Sequence, residues 1–190
     1  MDAQRQPEEV RPILFIRHGE TDYNRRHVRC GGDVDIPLTE HGERQARQAA
    51  ETLRAYATRI DAIVTSPLRR TLRTAELVQK TLGPSCSCPL AIHEGLIERR
   101  LGAWNGLDIA ATQPLLDAGE PPPGGEPEDT FRVRIRQALA DILGHSYRLP
   151  LLVASKGVAR VIGILSGTGP TAPAGNAEVL PFDIPLRALS

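Results

Sequence analysis

Aromatic side chains supply only 4% of this chain, so its core has to come from Leu, Ile, Val and Ala. No apolar run approaches the ~20 residues of a membrane-crossing helix, which argues against a membrane protein. Charge of one sign is also missing, since 23 Lys and Arg balance 23 Asp and Glu. That balance suits neither nucleic acid nor an acidic membrane surface as a partner. Cysteine is limited to Cys30, Cys86 and Cys88. An odd count at these spacings offers no disulfide framework and fits a reducing compartment. Cys86 and Cys88 alone are too few for a zinc site, and His27, His41, His93 and His145 lack metal-ligand spacing. Neither a metal nor another cofactor is expected. The polar stretch from Met1 to Val10 has no apolar segment of a secretory signal, so a cytoplasmic location is expected.

What is present is enough for one compact domain: 190 residues, 41% of them hydrophobic. Residues 1–11 read as a flexible polar tail and 12–190 as a single domain. Ile13 to Ile16 is a short apolar run of the kind a buried strand shows. Asp61–Thr65, Leu90–Ile92 and Leu151–Ala154 read as further strands, with Glu178–Leu180 as a last one. Between them lie helical periodicities. Ala46, Ala49, Ala50, Leu53 and Ala57 follow a capping Thr39. Leu68, Leu72, Ala75, Val78 and Leu82 follow Pro67, which suits a first helical turn. Phe131, Ile135, Leu139 and Ile142 share one face after the Pro- and Gly-rich stretch 119–127. Another apolar helix runs from about Gly157 to Leu165, and 167–176 is a loop. Alternating strands and helices predict an α/β fold, a three-layer α/β/α sandwich around a mostly parallel sheet. His18, Ser66 and Lys156 each follow a strand directly, so this pattern gathers them at the carboxyl edge where such sheets bind ligands.

The chemistry centres on Arg17-His18. A neutral imidazole is a nucleophile, and a guanidinium beside it can grip phosphate oxygens in bidentate fashion. Together they suit the acceptance of a phosphoryl group.

Further runs arrive in order behind this pair. Arg17-His18-Gly19-Glu20-Thr21 is followed by Asn24, by Cys30-Gly31 and by Asp35-Ile36-Pro37-Leu38-Thr39. Then come Ser66-Pro67-Leu68-Arg69-Arg70-Thr71 with Thr74-Ala75, Glu98 with Gly102, Trp104 and Gly106, and Pro123-Gly124-Gly125-Glu126. Over roughly residues 12–182 the chain resembles the histidine phosphatase superfamily, the phosphoglycerate mutase-like proteins, on its small-phosphatase branch. The resemblance implies a phosphoglycerate mutase-like fold and hydrolysis of a small phosphate monoester through phosphohistidine on His18. It implies that Arg17, Arg70 and Asn24 hold the phosphate, Arg70 being selected over Arg69. Cys30, Gly31, Glu98 and Gly157 belong to the implied phosphate-binding set. Glu98 would protonate the leaving alcohol and then deprotonate water. The implied partner is a small phosphorylated metabolite, the protein being a monomer or homodimer.

The chain departs from the family at one place. Val153-Ala154-Ser155-Lys156-Gly157 stands where the family has V-x-S-H-G, so Lys156 replaces the second histidine. Lysine is also a donor and carries a full charge, but on a longer stem. An active phosphatase with Lys156 as the substitute is the favoured expectation. Two alternatives stay open: a phosphoglycerate mutase-type phosphotransferase, suggested by Glu98-Arg99, and a weakly active or inactive relative that binds phosphate ligands.

Overall fold

The computed structural model describes residues 9–169 and 174–190. Its strands are β1 (Val10–Arg17), β2 (Ala62–Thr65), β3 (Leu90–Ile92), β4 (Pro150–Ala154) and β5 (Val179–Pro185). They form one five-stranded sheet in the order β3-β2-β4-β1-β5, parallel except for β5, which runs antiparallel to β1.

The polar tail ends earlier than the composition suggests. Val10 pairs with Pro185 and Arg11 with Ile184, so both residues belong to β1. Residues 1–8 lie outside the described residues. The last strand likewise runs on to Pro185, because its partner β1 is long enough to keep pairing with it.

The helices are α1 (Asp22–Arg25), α2 (Glu40–Leu53), α3 (Arg69–Leu82), α4 (Ile109–Asp117), α5 (Glu128–Gly144) and α6 (Lys156–Leu165). The sheet sorts them by the alternation of its side chains. Leu14, Ile16, Ile63, Leu151 and Val153 face α2 and α3, meeting Ala50, Leu53, Ala75 and Val78. Ile13, Phe15, Val64, Leu152 and Ala154 face α5 and α6, meeting Phe131, Ile135, Leu139, Val158 and Ile162. The result is the expected three-layer α/β/α sandwich, with an aliphatic core on both faces.

Helix starts follow local chemistry. The Thr39 hydroxyl accepts the Gly42 N–H at 3.0 Å and caps α2. Pro67 precedes α3 rather than entering its first turn. Leu68 is the cap residue and has no side-chain acceptor, so Asp35 Oδ1 takes the Arg69 N–H at 2.7 Å instead. The buried stripe of α3 is more polar than its periodicity implies, with Arg70, Thr71 and Thr74 inside and Leu72 only partly buried. α1 and α4 carry no strong periodic signal: α1 is one turn, and α4 contains Pro114. Cys86 and Cys88 are joined, their Cα atoms 5.3 Å apart, which corrects the expectation that the cysteine spacing offers no disulfide. That Cα separation lies within the range a disulfide bridges. Among the described residues no helix is long and apolar enough to cross a membrane.

Candidate active site

β1, β2 and β4 end side by side. The His18 N–H donates to Ala154 O at 3.0 Å, and the Ser66 N–H donates to Val153 O at 3.3 Å. His18, Ser66 and Lys156 therefore meet at the carboxyl edge, as the topology requires. Of these three, His18 and Lys156 line the cavity there, whereas Ser66 is fully buried and bonds Thr71 Oγ1 at 2.6 Å. Thr74, one turn further along α3, accepts the Gly19 N–H at 3.2 Å and fixes the turn after His18.

His18 is buried at 5% exposure. Its Nδ1 lies 2.7 Å from the Gly19 carbonyl oxygen. A carbonyl only accepts, so Nδ1 carries the proton and the Nε2 lone pair is left for chemistry. Burial, then Arg70, then Arg17 push the imidazole pKa well below its usual 6.5. The ring is a neutral base held in one tautomer. Its backbone is fixed too, with Asn176 Nδ2 donating to His18 O at 3.2 Å.

The expected phosphate ligands fall into two groups. Arg17, Asn24, Cys30 and Glu98 line the same cavity of about 600 Å³ as His18. Asn24 Oδ1 accepts the Thr21 N–H at 3.0 Å and Asn176 Nδ2 at 3.1 Å, which turns its own amide donor away from these partners. Arg17 Nη1 donates to Ala174 O at 2.6 Å. Burial pushes the Cys30 thiol pKa up, keeping it protonated and a weak donor. Arg70, by contrast, is fully buried and sits behind this surface. Its Nη1 donates to Val34 O at 2.8 Å and its Nη2 to Gly31 O at 3.1 Å. Gly31 is committed on both sides, since its N–H donates to Asn105 Oδ1 at 2.7 Å. In this structure Gly31 braces Arg70, and its N–H is not offered to a ligand.

Glu98 is held by backbone donors. Its Oε1 accepts the Arg99 N–H at 2.7 Å and its Oε2 accepts the Gly157 N–H at 2.8 Å. Gly157 thus reaches the site through Glu98. A Cβ at Gly157 would press against Glu98 Oε1, far inside van der Waals contact. Gly157→Ala is expected to displace the carboxylate and lower kcat/KM by about 10²-fold or more. Steady-state kinetics with circular dichroism checks this; an active, folded alanine variant would contradict it.

Lys156 opens α6, with an exposed side chain that has no hydrogen bond or ion pair among the described residues. Burial of its inner part, then Arg17 and Arg29, lower the ammonium pKa, with Glu98 working the other way. Three residues absent from the sequence reading also shape the site. Arg29 Nε bonds Thr112 Oγ1 at 2.8 Å and ties the loop after α1 to α4. Asn176 locks His18 and Asn24 together, and Arg134 clamps the segment carrying Glu98. No sequence signal distinguishes Arg29 or Arg134 from surface arginines. Among the described residues no group of three or more His, Cys, Asp or Glu side chains could hold a metal ion.

Comparison with known proteins identifies the family. Residues 13–173 match the histidine phosphatase superfamily (branch 1). A probable phosphoglycerate mutase of Photorhabdus laumondii is 34% identical over 166 residues, 82% of this chain and 73% of that one. A Bacillus subtilis phosphatase is 39% identical over 97 residues, 51% of this chain and 47% of that one. The solved structure of a mycobacterial glucosyl-3-phosphoglycerate phosphatase in complex with VO3 superposes with a TM-score of 0.74 at 30% identity, covering 90% of this chain and 92% of that one.

Proposed function

The chain belongs to the histidine phosphatase superfamily (branch 1), and we propose that within it the protein hydrolyses a small phosphate monoester through a phosphohistidine on His18. The observation that carries this reading is the state of His18: buried, neutral, and tied through Nδ1 so that Nε2 is free.

Nε2 attacks phosphorus and the ester P–O bond breaks. Glu98, entering this step as the carboxylic acid, gives its proton to the departing alkoxide. Water then attacks the phosphohistidine, returns a proton to Glu98, and the P–N bond breaks with its electron pair going back to Nε2. Inorganic phosphate leaves and the ring is again neutral. Throughout, Nδ1 keeps its proton and donates it to the Gly19 carbonyl, which stabilises the cationic ring of the intermediate. Arg17, Asn24 and Lys156 hold the equatorial oxygens as charge redistributes. Arg70 supports the same charge from behind, and Cys30 edges the pocket.

The test is a panel of phosphate esters, with phosphate release measured and the phosphoenzyme trapped by alkaline quench and mass spectrometry. Sugar phosphates and phosphoglycerates lead the panel, because the similar mycobacterial protein is named for a phosphorylated glycerate. Turnover with a trapped adduct on His18 supports the reading, and binding without turnover would sink it. The similarity to a probable phosphoglycerate mutase favours a second reading, transfer between two hydroxyls. Interconversion of phosphoglycerates that depends on added bisphosphoglycerate would select it.

The depressed His18 pKa sets the pH behaviour. With an aryl phosphate, whose leaving group needs no proton, the rate of phosphoenzyme formation should stay flat from pH 8 to below 6.5. It should fall only on the acid side, where the imidazole protonates and loses its lone pair. A midpoint at or above 6.5 in stopped-flow traces would contradict the neutral, buried ring. Stability moves in the same sense. The unfolded chain takes up a proton near pH 6.5 that the folded one refuses, so folding stability falls as pH drops through that value.

A further inference from the structure

Three buried side-chain polar atoms have no hydrogen-bond partner among the described residues: Arg17 Nε, Arg70 Nε and Ser155 Oγ. Folded interiors pair nearly all such atoms, so each orphan calls for an explanation. Two of the three belong to arginines already placed around the phosphoryl group. The third belongs to a residue with no role so far.

Ser155 is 2% exposed, yet it lines the same cavity as Arg17, His18 and Lys156. It follows β4 directly and stands at the cap position of α6 with extended backbone angles, φ −111° and ψ 171°. A serine there ordinarily accepts an N–H from the first helical turn. Thr21, Thr39 and Asp108 do so at the starts of α1, α2 and α4. Ser155 caps nothing. One of the N–H groups it would take, that of Gly157, is given to Glu98 Oε2. The hydroxyl is therefore left unengaged at the positive end of a helix, next to a cationic side chain.

We propose that the Ser155 hydroxyl donates to a non-bridging oxygen of the phosphoryl group, as a ligand additional to those already described. This rests on the reading of the cavity as a phosphoryl site. It also divides the work at the place where the family has its second histidine. Ser155 supplies a short, buried, neutral donor against the phosphorus centre, and Lys156 supplies a long, exposed charge at the mouth.

Ser155→Ala and Ser155→Thr test the idea, with inorganic phosphate and vanadate as probes. In the alanine variant, affinity for both anions by calorimetry should fall about tenfold or more, the effect of a hydrogen bond to a charged group. Its melting temperature in phosphate-free buffer should be unchanged or higher, because the lost hydroxyl was unpaired. Threonine should restore anion binding. Unchanged anion affinity in the alanine variant would overturn the proposal. So would a lower melting temperature without anion, the mark of a hydroxyl that serves the fold. Anion binding is measured directly, so the Ser155 result stands apart from turnover. A wild-type protein that binds phosphate through Ser155 but hydrolyses nothing would refute the phosphatase reading alone.

Discussion

Replacing His18 with alanine is expected to remove phosphate release by about 10⁵-fold or more, the scale seen when a covalent nucleophile is deleted. The loss is chemical and leaves the fold in place. Among the described residues the ring's one hydrogen bond is local, to the carbonyl of the next residue. The backbone bonds that hold position 18, to Ala154 O and from Asn176, do not involve the ring. Arg17, Asn24 and Lys156 keep their places, so inorganic phosphate should still bind within a few-fold of wild type. The trapped phosphoenzyme should vanish. A residual rate within about 10²-fold of wild type, the contribution of a single acid–base group, would mean that His18 is not the nucleophile.

How much of this site can be read from the sequence depends on the kind of residue. His18 and Arg17 are legible because a short apolar run ends on them, and a strand end is where α/β folds put chemistry. β1 and β4 are legible as short continuous apolar runs, the mark of strands covered on both faces, but which residue meets which helix layer is not. Arg70 is only half legible. The motif picks it over Arg69, yet a helix surface pattern puts an arginine in solvent, while here it is fully buried with both Nη atoms on loop carbonyls. Thr71 and Thr74 mislead in the same way. They satisfy their hydroxyls on the carbonyls of Leu68 and Arg70 within the helix, so they can go inside. Gly31 and Gly157 are placed by the motifs in the phosphate-binding set, but the part they play is not legible. Both work through their neighbours, Gly31 on Arg70 and Gly157 on Glu98. Such roles depend on contacts between segments far apart in the chain, which no local pattern encodes.

Arg134 shows the same limit, and its replacement by methionine carries the second large effect. The Arg134 side chain lies over the Phe131 ring, 5.2 Å from its centroid. Nε and Nη2 grip the Glu126 carboxylate at 2.9 and 2.7 Å. Nη1 donates to Gly95 O at 2.9 Å and to Ile97 O at 2.8 Å. The guanidinium thus fixes the backbone immediately before Glu98. Met fills the stem's volume but leaves the Glu126 carboxylate, only 7% exposed, without its counter-charge and with the long Arg100 N–H contact at 3.4 Å in place of the guanidinium. Breaking such a pair from one side costs about 3–5 kcal/mol, measurable by urea unfolding. Activity should fall as well, because Glu98 loses its support, and more steeply for alkyl than for aryl esters, since only the alkyl leaving group needs a proton. Pairing Arg134→Met with Glu126→Met separates the two effects. Removing both charges should recover most of the stability, while the carbonyls of Gly95 and Ile97 stay unbraced and the alkyl rate stays low. If the double variant regains both stability and alkyl turnover, Arg134 serves the fold alone and Glu98 is positioned entirely by the N–H groups of Arg99 and Gly157.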